Sequence, residues 1–225
     1  MADGDAHLAA TSETHADSSQ AQTNKGPIKF HDYIKDSWAL FFSHPADYTP
    51  VCTTELGALA GEAKDFDALG VKLVGLSADD VESHQGWIKD IQQFSGNQVD
   101  FPIVADADRK VSTLYGMLDN QDATNVDAKG IPFTVRSVFV IDPQQKIRLI
   151  LTYPASTGRS FPEIRRAITS LQLGDKKKIT TPANWTPGDK VIVHPSVQGE
   201  AVKELFGDNV ETVFPYLRFT KVESS

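Results

Sequence analysis

Residues 38–77 restrict the possible folds of this chain more than any other stretch. They contain two apolar runs, "WALFFSH" and "VKLVGLS", with the length and composition of strands that are buried on both faces. Between the runs, apolar residues recur at helical spacing from Leu56 to Leu69. A strand, a helix and a second strand in this order predict a right-handed parallel crossover. The sequence therefore predicts an α/β fold.

The segments that follow continue this alternation. Two β-rich runs on either side of "PQQK" predict a hairpin, which adds antiparallel strands. The expected architecture is a central mixed sheet flanked by helices, plus a small C-terminal module. The other predicted elements are an amphipathic helix over 81–94, a short strand over 101–106, a short helix over 108–117 and a last amphipathic helix that ends at Gly174.

Changes in composition predict three segments. Residues 1–25 are rich in Ala, Ser and Thr and are expected to form a flexible leader, since they match neither a secretory signal nor a basic transit peptide. The α/β domain is predicted over 26–174. After it, Pro, Gly and Lys become frequent, so 175–225 are expected to form a C-terminal module that covers the site or mediates dimerisation. Apolar residues expected to be exposed there favour a homodimer, namely Val191, Ile192, Val193 and Phe214.

Charge and residue counts exclude several classes of function. The net charge of -8 and the absence of a basic patch argue against nucleic-acid binding, and no apolar run is long enough for a membrane span. The six histidines are scattered without metal-ligand spacing, so neither a metal nor a bound cofactor is expected. A single cysteine cannot form an intrachain disulfide, which indicates a reducing compartment. The predicted location is the cytoplasm, with the mitochondrion as the alternative.

That cysteine, Cys52, falls in the first turn of the predicted helix over 50–69. Thr49 stands at its N-cap and Pro50 at its first position. Unpaired N–H groups and the positive end of the helix dipole favour a thiolate there. A lone cysteine is often only a small buried hydrophobe, but that interpretation does not explain why a threonine hydroxyl clusters with it. The pattern indicates a reactive thiol.

One segment around Cys52 resembles a known family. The stretch "PADYTPVC", from Pro45 to Cys52, matches the PxxxTxxC signature of the peroxiredoxins, the AhpC/TSA family. The segments "TLYGMLD" and "YPASTGRSFPEI" are similar to the one-cysteine group of the peroxiredoxin 6 type, and the resemblance extends from Gly26 to Phe219. It implies a thioredoxin-like fold and a thiol-specific peroxidase that acts in antioxidant defence. Cys52 would reduce hydrogen peroxide or an organic hydroperoxide and become a sulfenic acid.

The resemblance also implies roles for residues outside the first helical turn. The family's active-site arginine falls on Arg136, which interrupts an apolar strand and should therefore face an anion or a carboxylate, or else form a salt bridge at the strand end. Pro45 would shield the thiolate from water. Glu55 and Arg159 resemble the family's ion pair that orients the active-site arginine, here Arg136. His44 is expected to contact the reacting residues and not the peroxide itself.

Partners follow from the missing second cysteine. Because the chain has no resolving cysteine, an external thiol must reduce the sulfenic acid. Glutathione and a thioredoxin-type protein are both compatible with the sequence. The rival function is a peroxide sensor or a chaperone-like binding protein, which would consume about one equivalent of peroxide instead of turning over. A cysteine hydrolase that uses His44 is a third possibility, but no Asn or Asp partner for His44 is evident.

A phospholipase activity is credited to some similar proteins. His31 and Ser37 match two of its three positions, but the third, acidic, position falls on Gln144, and Asp142 lies two places earlier. The serine also lacks a GxSxG elbow. His31 and Ser37 are therefore interpreted as structural.

Overall fold

The computed structural model describes residues 20–222 and divides into two compact units between Phe161 and Pro162. The described part of the first unit contains a five-stranded sheet in the order β3-β2-β1-β4-β5. Its first three strands are parallel, and β4 and β5 are antiparallel to their neighbours, which confirms the predicted mixed sheet. The strands are β1 (Trp38–Ser43), β2 (Val71–Ser77), β3 (Ile103–Ala105), β4 (Arg136–Ile141) and β5 (Ile147–Tyr153).

Helices lie in the connections from β1 to β2, from β2 to β3 and from β3 to β4, a short helix precedes β1, and another helix follows β5. Buried apolar residues from several strands pack with Met117 and Ile34 into one core, among them Phe41, Val74 and Phe139. Within residues 20–222 no helix is long and apolar enough to cross a membrane. The helices are α1 (Phe30–Tyr33), α2 (Pro50–Ala68), α3 (Val81–Ser95), α4 (Lys110–Leu114) and α5 (Phe161–Lys177).

The connection between β1 and α2 sets the position of the single cysteine. Helix α2 starts with Pro50, whose fixed φ suits the first helical position, and Thr49 before it is still extended. Tyr48 takes a φ of 54°, in the left-handed region that side chains other than glycine rarely adopt. Residues 44–49 therefore form a tight turn at the carboxyl end of β1, and this turn delivers Cys52 into the first turn of α2.

The second unit has its own sheet and core. Within its described residues four strands pair antiparallel in the order β6-β7-β9-β8. Trp185 and three aliphatic side chains, Leu173, Ile179 and Val191, form the buried cluster. The elements after α5 are β6 (Ile179–Thr180), β7 (Val191–Val193), α6 (Glu200–Phe206), β8 (Glu211–Phe214) and β9 (Leu217–Thr220).

Two expectations for this region are wrong. Val191 and Val193 are buried, because they share the face of β7 from which Val191 packs into the Trp185 cluster. Ile192, on the other face, is half-buried, and Phe214 is exposed as expected. The last amphipathic helix does not end at Gly174 but continues to Lys177, and Lys178 leaves it with a φ of 55°. Lysines in the last turn face the negative end of the helix dipole, which favours this extension.

The segment boundaries drawn from composition stay predictions. The boundary after residue 174 lies inside α5. Residues 1–19 of the predicted leader lie outside the described residues, and residues 20–25 lie within them. Its described end is held by backbone bridges from Ala21 to Ile28 and from Thr23 to Val104, which no apolar pattern in the sequence signals.

Candidate active site

Cys52 lies fully buried in the first turn of α2, and a guanidinium lies beside it. The Nη1 atom of Arg136 is 3.3 Å from the Cys52 Sγ. Arg136 is the first residue of β4, which pairs with β1, the strand that leads into the turn before α2. Neighbouring strands therefore bring together two residues that are 84 positions apart in the sequence.

The Arg136 guanidinium is held by three hydrogen bonds to two acceptors, besides the sulfur contact. Its Nε and Nη2 both donate to the carbonyl oxygen of Ala155, at 3.0 and 2.6 Å. Its Nη1 also donates to Glu55 Oε2 at 2.7 Å. Such a planar, multiply bonded fork has little rotational freedom, so the cation stays next to Cys52.

Glu55 and Arg159 form the second half of this cluster. The Glu55 carboxylate accepts from the backbone N–H and Nε of Arg159 at 2.7 and 2.9 Å, and from its Nη2 at 2.8 Å. The remaining Arg159 nitrogen, Nη1, donates to the carbonyls of Ser43 and Ser137. Burial by itself would raise the pKa of Glu55, but Arg159 and then Arg136 outweigh it and lower the pKa below its ordinary value.

The charges of this buried cluster do not balance without the thiol. Among the ion pairs of residues 20–222, Arg136 and Arg159 both pair with the same carboxylate, that of Glu55. Two buried cations against one anion leave one positive charge, and the Cys52 sulfur lies within hydrogen-bond distance of it. The cluster is therefore suited to a thiolate at position 52.

Thr49 lies at the N-cap position of α2, but its hydroxyl does not cap the helix. The hydroxyl donates instead to the carbonyl oxygen of Ala46 at 2.9 Å, across the turn. Its oxygen lone pairs are still free to accept in this arrangement. Pro45, in the same turn, is buried.

His44 lies in a buried polar cluster rather than alone. Its Nε2 is 2.8 Å from Asp47 Oδ1, and the other carboxylate oxygen, Oδ2, is 2.7 Å from His84 Nδ1. Burial lowers the pKa of His44, and the hydrogen bond to Asp47 opposes this only in part. The partner that the sequence did not reveal for His44 is thus Asp47.

Sequence reasoning missed Asp47 and His84 for different reasons. Asp47 lies inside the quoted signature but has no fixed role in it, whereas His84 falls at the spacing of the apolar face of the predicted helix over 81–94. The available signal was a histidine on the apolar face of a helix, because a histidine that is buried there needs a hydrogen-bond partner.

This cluster also contains the one group of possible metal ligands found among residues 20–222. Ligand atoms of His44, Asp47 and Asp79 lie within 4.8 Å of one another. Their polar atoms already bond to one another, since Asp47 accepts from His44 and its backbone N–H donates to Asp79 Oδ2. A metal ion would have to displace these hydrogen bonds.

Among the described residues, no hydrogen bond joins the side chains at the positions that match the phospholipase triad. The hydroxyl of Ser37 donates to the carbonyls of Ile34 and Lys35, and His31 Nδ1 is paired with Gln145 Oε1. Asp142 accepts from backbone N–H groups of its own hairpin turn. These contacts support the structural interpretation of His31 and Ser37.

Comparisons with known proteins agree with this geometry. The model of the AhpC/TSA family matches residues 12–150, and that of the C-terminal domain of 1-Cys peroxiredoxin matches 170–208. The mitochondrial peroxiredoxin PRX1 of Saccharomyces cerevisiae is 52% identical over 89% of this chain and 77% of its own.

Two solved structures are also similar. A cysteine-to-serine mutant of the peroxiredoxin 6 of Arenicola marina has a TM-score of 0.87 at 42% identity, over 93% of this chain and 96% of its own. The yeast mitochondrial 1-Cys peroxiredoxin, described with its thiol resolving mechanism through glutathione/thioredoxin systems, has a TM-score of 0.83 at 48% identity, over 93% and 98%.

Proposed function

Because the chain belongs to the AhpC/TSA family, we propose that its single cysteine, Cys52, is the atom that attacks peroxides. The protein is a thiol-dependent peroxidase of the one-cysteine peroxiredoxin type, an antioxidant oxidoreductase with a thioredoxin-like fold. The observation that carries the residue assignment is the contact between Cys52 and Arg136 in a buried cluster with one uncompensated positive charge.

The proposed reaction begins with a thiolate that Arg136 stabilises. The Cys52 sulfur attacks the terminal oxygen of R–O–OH; an S–O bond forms as the O–O bond breaks, and the sulfur is oxidised to a sulfenic acid. The leaving oxygen departs as an alkoxide or hydroxide and takes a proton from solvent. Arg136 stabilises the charge that moves onto this oxygen, which is a larger contribution than ionisation of the thiol alone.

Thr49 and Pro45 complete the proposed site. The Thr49 hydroxyl is assigned to the peroxide: it accepts a hydrogen bond from the terminal O–H while it continues to donate its own proton to the Ala46 carbonyl. Pro45 is assigned to exclude water from the thiolate, which its burial supports. Glu55 and Arg159 are assigned to orient Arg136, supported by the four short contacts that link the three side chains and the Arg159 backbone.

An external thiol is proposed to complete the cycle. It attacks the Cys52 sulfur, water leaves, and a mixed disulfide remains until a second thiol releases the enzyme. The glutathione and thioredoxin systems named for the yeast neighbour are the reductants proposed here.

We also propose a homodimer, with the C-terminal module taking part in dimerisation or in covering the site. The cytoplasm and, as in the relative named mitochondrial, the mitochondrion are the proposed locations.

Substitution of the cysteine tests this function. Cys52→Ser should abolish peroxide consumption in the presence of thiol without lowering the melting temperature by more than a few degrees, because serine is nearly isosteric with cysteine. The assay measures equivalents of peroxide consumed per chain with the glutathione and thioredoxin systems in parallel. Many equivalents with the unmodified chain support the peroxidase. A single equivalent would mean that the chain is a sensor, and activity retained by the variant would refute the assignment of Cys52.

A further inference from the structure

The turn before α2, residues 44–49, is anchored through one buried carboxylate. Asp47 is 6% exposed and engages four partners. Its Oδ1 bonds to His44 Nε2, and its backbone N–H donates to Asp79 Oδ2 at 2.9 Å. Its Oδ2 accepts from Ser83 Oγ at 2.8 Å and bonds to His84 Nδ1 at 2.7 Å. Both partners of Oδ2 belong to α3, so Asp47 fastens the turn to that helix.

The chemistry of these contacts fixes the donor at each of them. Burial would raise the pKa of Asp47, but hydrogen bonds to His44 and His84 outweigh it and hold the pKa below its ordinary range. An ionised carboxylate has no proton to donate, so His44 must carry its proton on Nε2 and His84 on Nδ1. An amide at position 47 could not accept from all three neighbouring side chains at once.

The residue after Asp47 is strained. Tyr48 has a φ of 54°, and the residue is 57% exposed. Non-glycine residues in this region persist when their surroundings over-determine them, and they cluster at active sites. On the other side of Tyr48, the Thr49 carbonyl accepts from the N–H and the hydroxyl of Thr53. That hydroxyl accepts in turn from Trp87 Nε1 of α3. Side chains of α3 therefore hold the chain by hydrogen bonds on both sides of Tyr48.

We propose that Asp47 is a positioning residue for the peroxidase reaction. Together with Ser83 and His84 it holds the strained turn at Tyr48 and thereby fixes the place of the Thr49 hydroxyl, through which it acts. This inference rests on the proposed role of Thr49 as a ligand of the peroxide.

Asp47→Asn tests the inference, because it keeps the size of the side chain and removes its capacity to accept from three donors. Two rates are measured, oxidation of Cys52 by hydrogen peroxide and alkylation of Cys52 by iodoacetamide. We expect oxidation to slow by about tenfold or more, since a displacement of about 1 Å can cost about 100-fold. Alkylation does not need Thr49, so it should change by no more than about twofold, within the scatter of independent effects. Equal losses in the two rates would overturn the proposal.

A double-mutant cycle with Thr49→Val shows whether Asp47 acts through Thr49. If it does, Asp47→Asn should slow oxidation by no more than about twofold in the Thr49→Val background. Fully multiplicative effects would overturn the proposal. The cycle also separates the two hypotheses. If Thr49→Val alone leaves oxidation unchanged, the proposed role of Thr49 is wrong and the inference falls with it. If only Asp47→Asn has no effect on oxidation, the inference alone is wrong.

A second buried aspartate provides the matched control. Asp106 is 3% exposed and accepts from the backbone N–H groups of Val111 and Ser112, at the start of α4. Asp106→Asn should lower stability and leave the ratio of the two rates unchanged; a changed ratio would mean that any buried aspartate has this effect and would overturn the proposal. Should Asp47→Asn fail to fold, Ser83→Ala removes one hydrogen bond to Asp47 Oδ2 and should shift the ratio in the same direction. An unchanged ratio in Ser83→Ala would then count as the refuting result.

Discussion

Replacing Arg136 by methionine separates the two contributions that the guanidinium makes. Methionine has a similar length and no charge, so the variant removes the cation 3.3 Å from the Cys52 sulfur. Glu55 keeps its contacts with Arg159, and one anion then faces one cation. The Ala155 carbonyl loses both of its donors, which costs about 1–3 kcal/mol of stability if water does not replace them.

The expected loss of reactivity can be bounded from the distance. A charge pair 3.3 Å apart gains about 5 kcal/mol at an effective dielectric constant of about 20, before the opposing effects of burial and of Glu55. A free thiol is about 3% ionised at pH 7, so complete ionisation raises the thiolate by about thirtyfold, equivalent to about 2 kcal/mol. Loss of a donor to the departing oxygen costs a further factor of about 10²–10³.

The assay compares alkylation and oxidation of Cys52 in the same variant. For Arg136→Met we expect iodoacetamide alkylation at pH 7 to slow by up to about thirtyfold and to recover as the pH rises. Oxidation by hydrogen peroxide should slow by about 10³-fold or more and should not recover fully at high pH.

Arg136→Lys is the matched control. Lysine keeps the positive charge but lacks the planar guanidinium with its several donors. The rate of alkylation should therefore fall less, relative to the unmodified chain, than the rate of oxidation. If Arg136→Met slows both reactions by the same factor at every pH, the guanidinium only ionises the thiol, and the proposed stabilisation of the leaving oxygen is refuted.

Three further predictions concern the surrounding residues. Thr49→Val should slow peroxide reduction by about tenfold or more and leave alkylation nearly unchanged; similar losses in both assays would argue against contact with the peroxide. Because the pKa of Glu55 is lowered in the folded chain, the stability it provides is present above the ordinary carboxyl range and is lost as the pH falls through the lowered value. Urea unfolding between pH 7 and pH 3 should show this decline, and Glu55→Gln should make it shallower; an unchanged slope would contradict the assignment. Gly57→Ala should destabilise the protein by about 1–3 kcal/mol, because a Cβ at position 57 would lie 2.8 Å from Ser95 Cβ and force α2 away from α3. An unchanged melting temperature would show that α2 and α3 can move apart without a loss of stability.

Local patterns predicted the elements of the first unit well. The apolar runs of β1 and β2, the helical spacing of α2 and the turn residues of the hairpin each depend on neighbours in the sequence, and the structure contains all of them. The end of α5 was placed wrongly, because a glycine is a common stop signal and no local pattern shows that a helix passes through it. The burial of Val191 and Val193 was missed for a related reason, since packing on one face of β7 decides it and no local pattern shows what packs there.

The sequence by itself determined the proposed reactive residue and its local setting: one cysteine, in the first turn of a helix that begins with a proline, three residues after a threonine. These are short-range properties, and the helix dipole and the signature depend on them alone. The tertiary structure decided which charges surround that atom. Glu55, Arg136 and Arg159 are far apart in the chain and meet because the start of α2 and the first residue of β4 lie at the same end of the central strands. The anchoring of the turn by Asp47 and His84 was decided in the same way, since a buried carboxylate is stable only where folding supplies its donors.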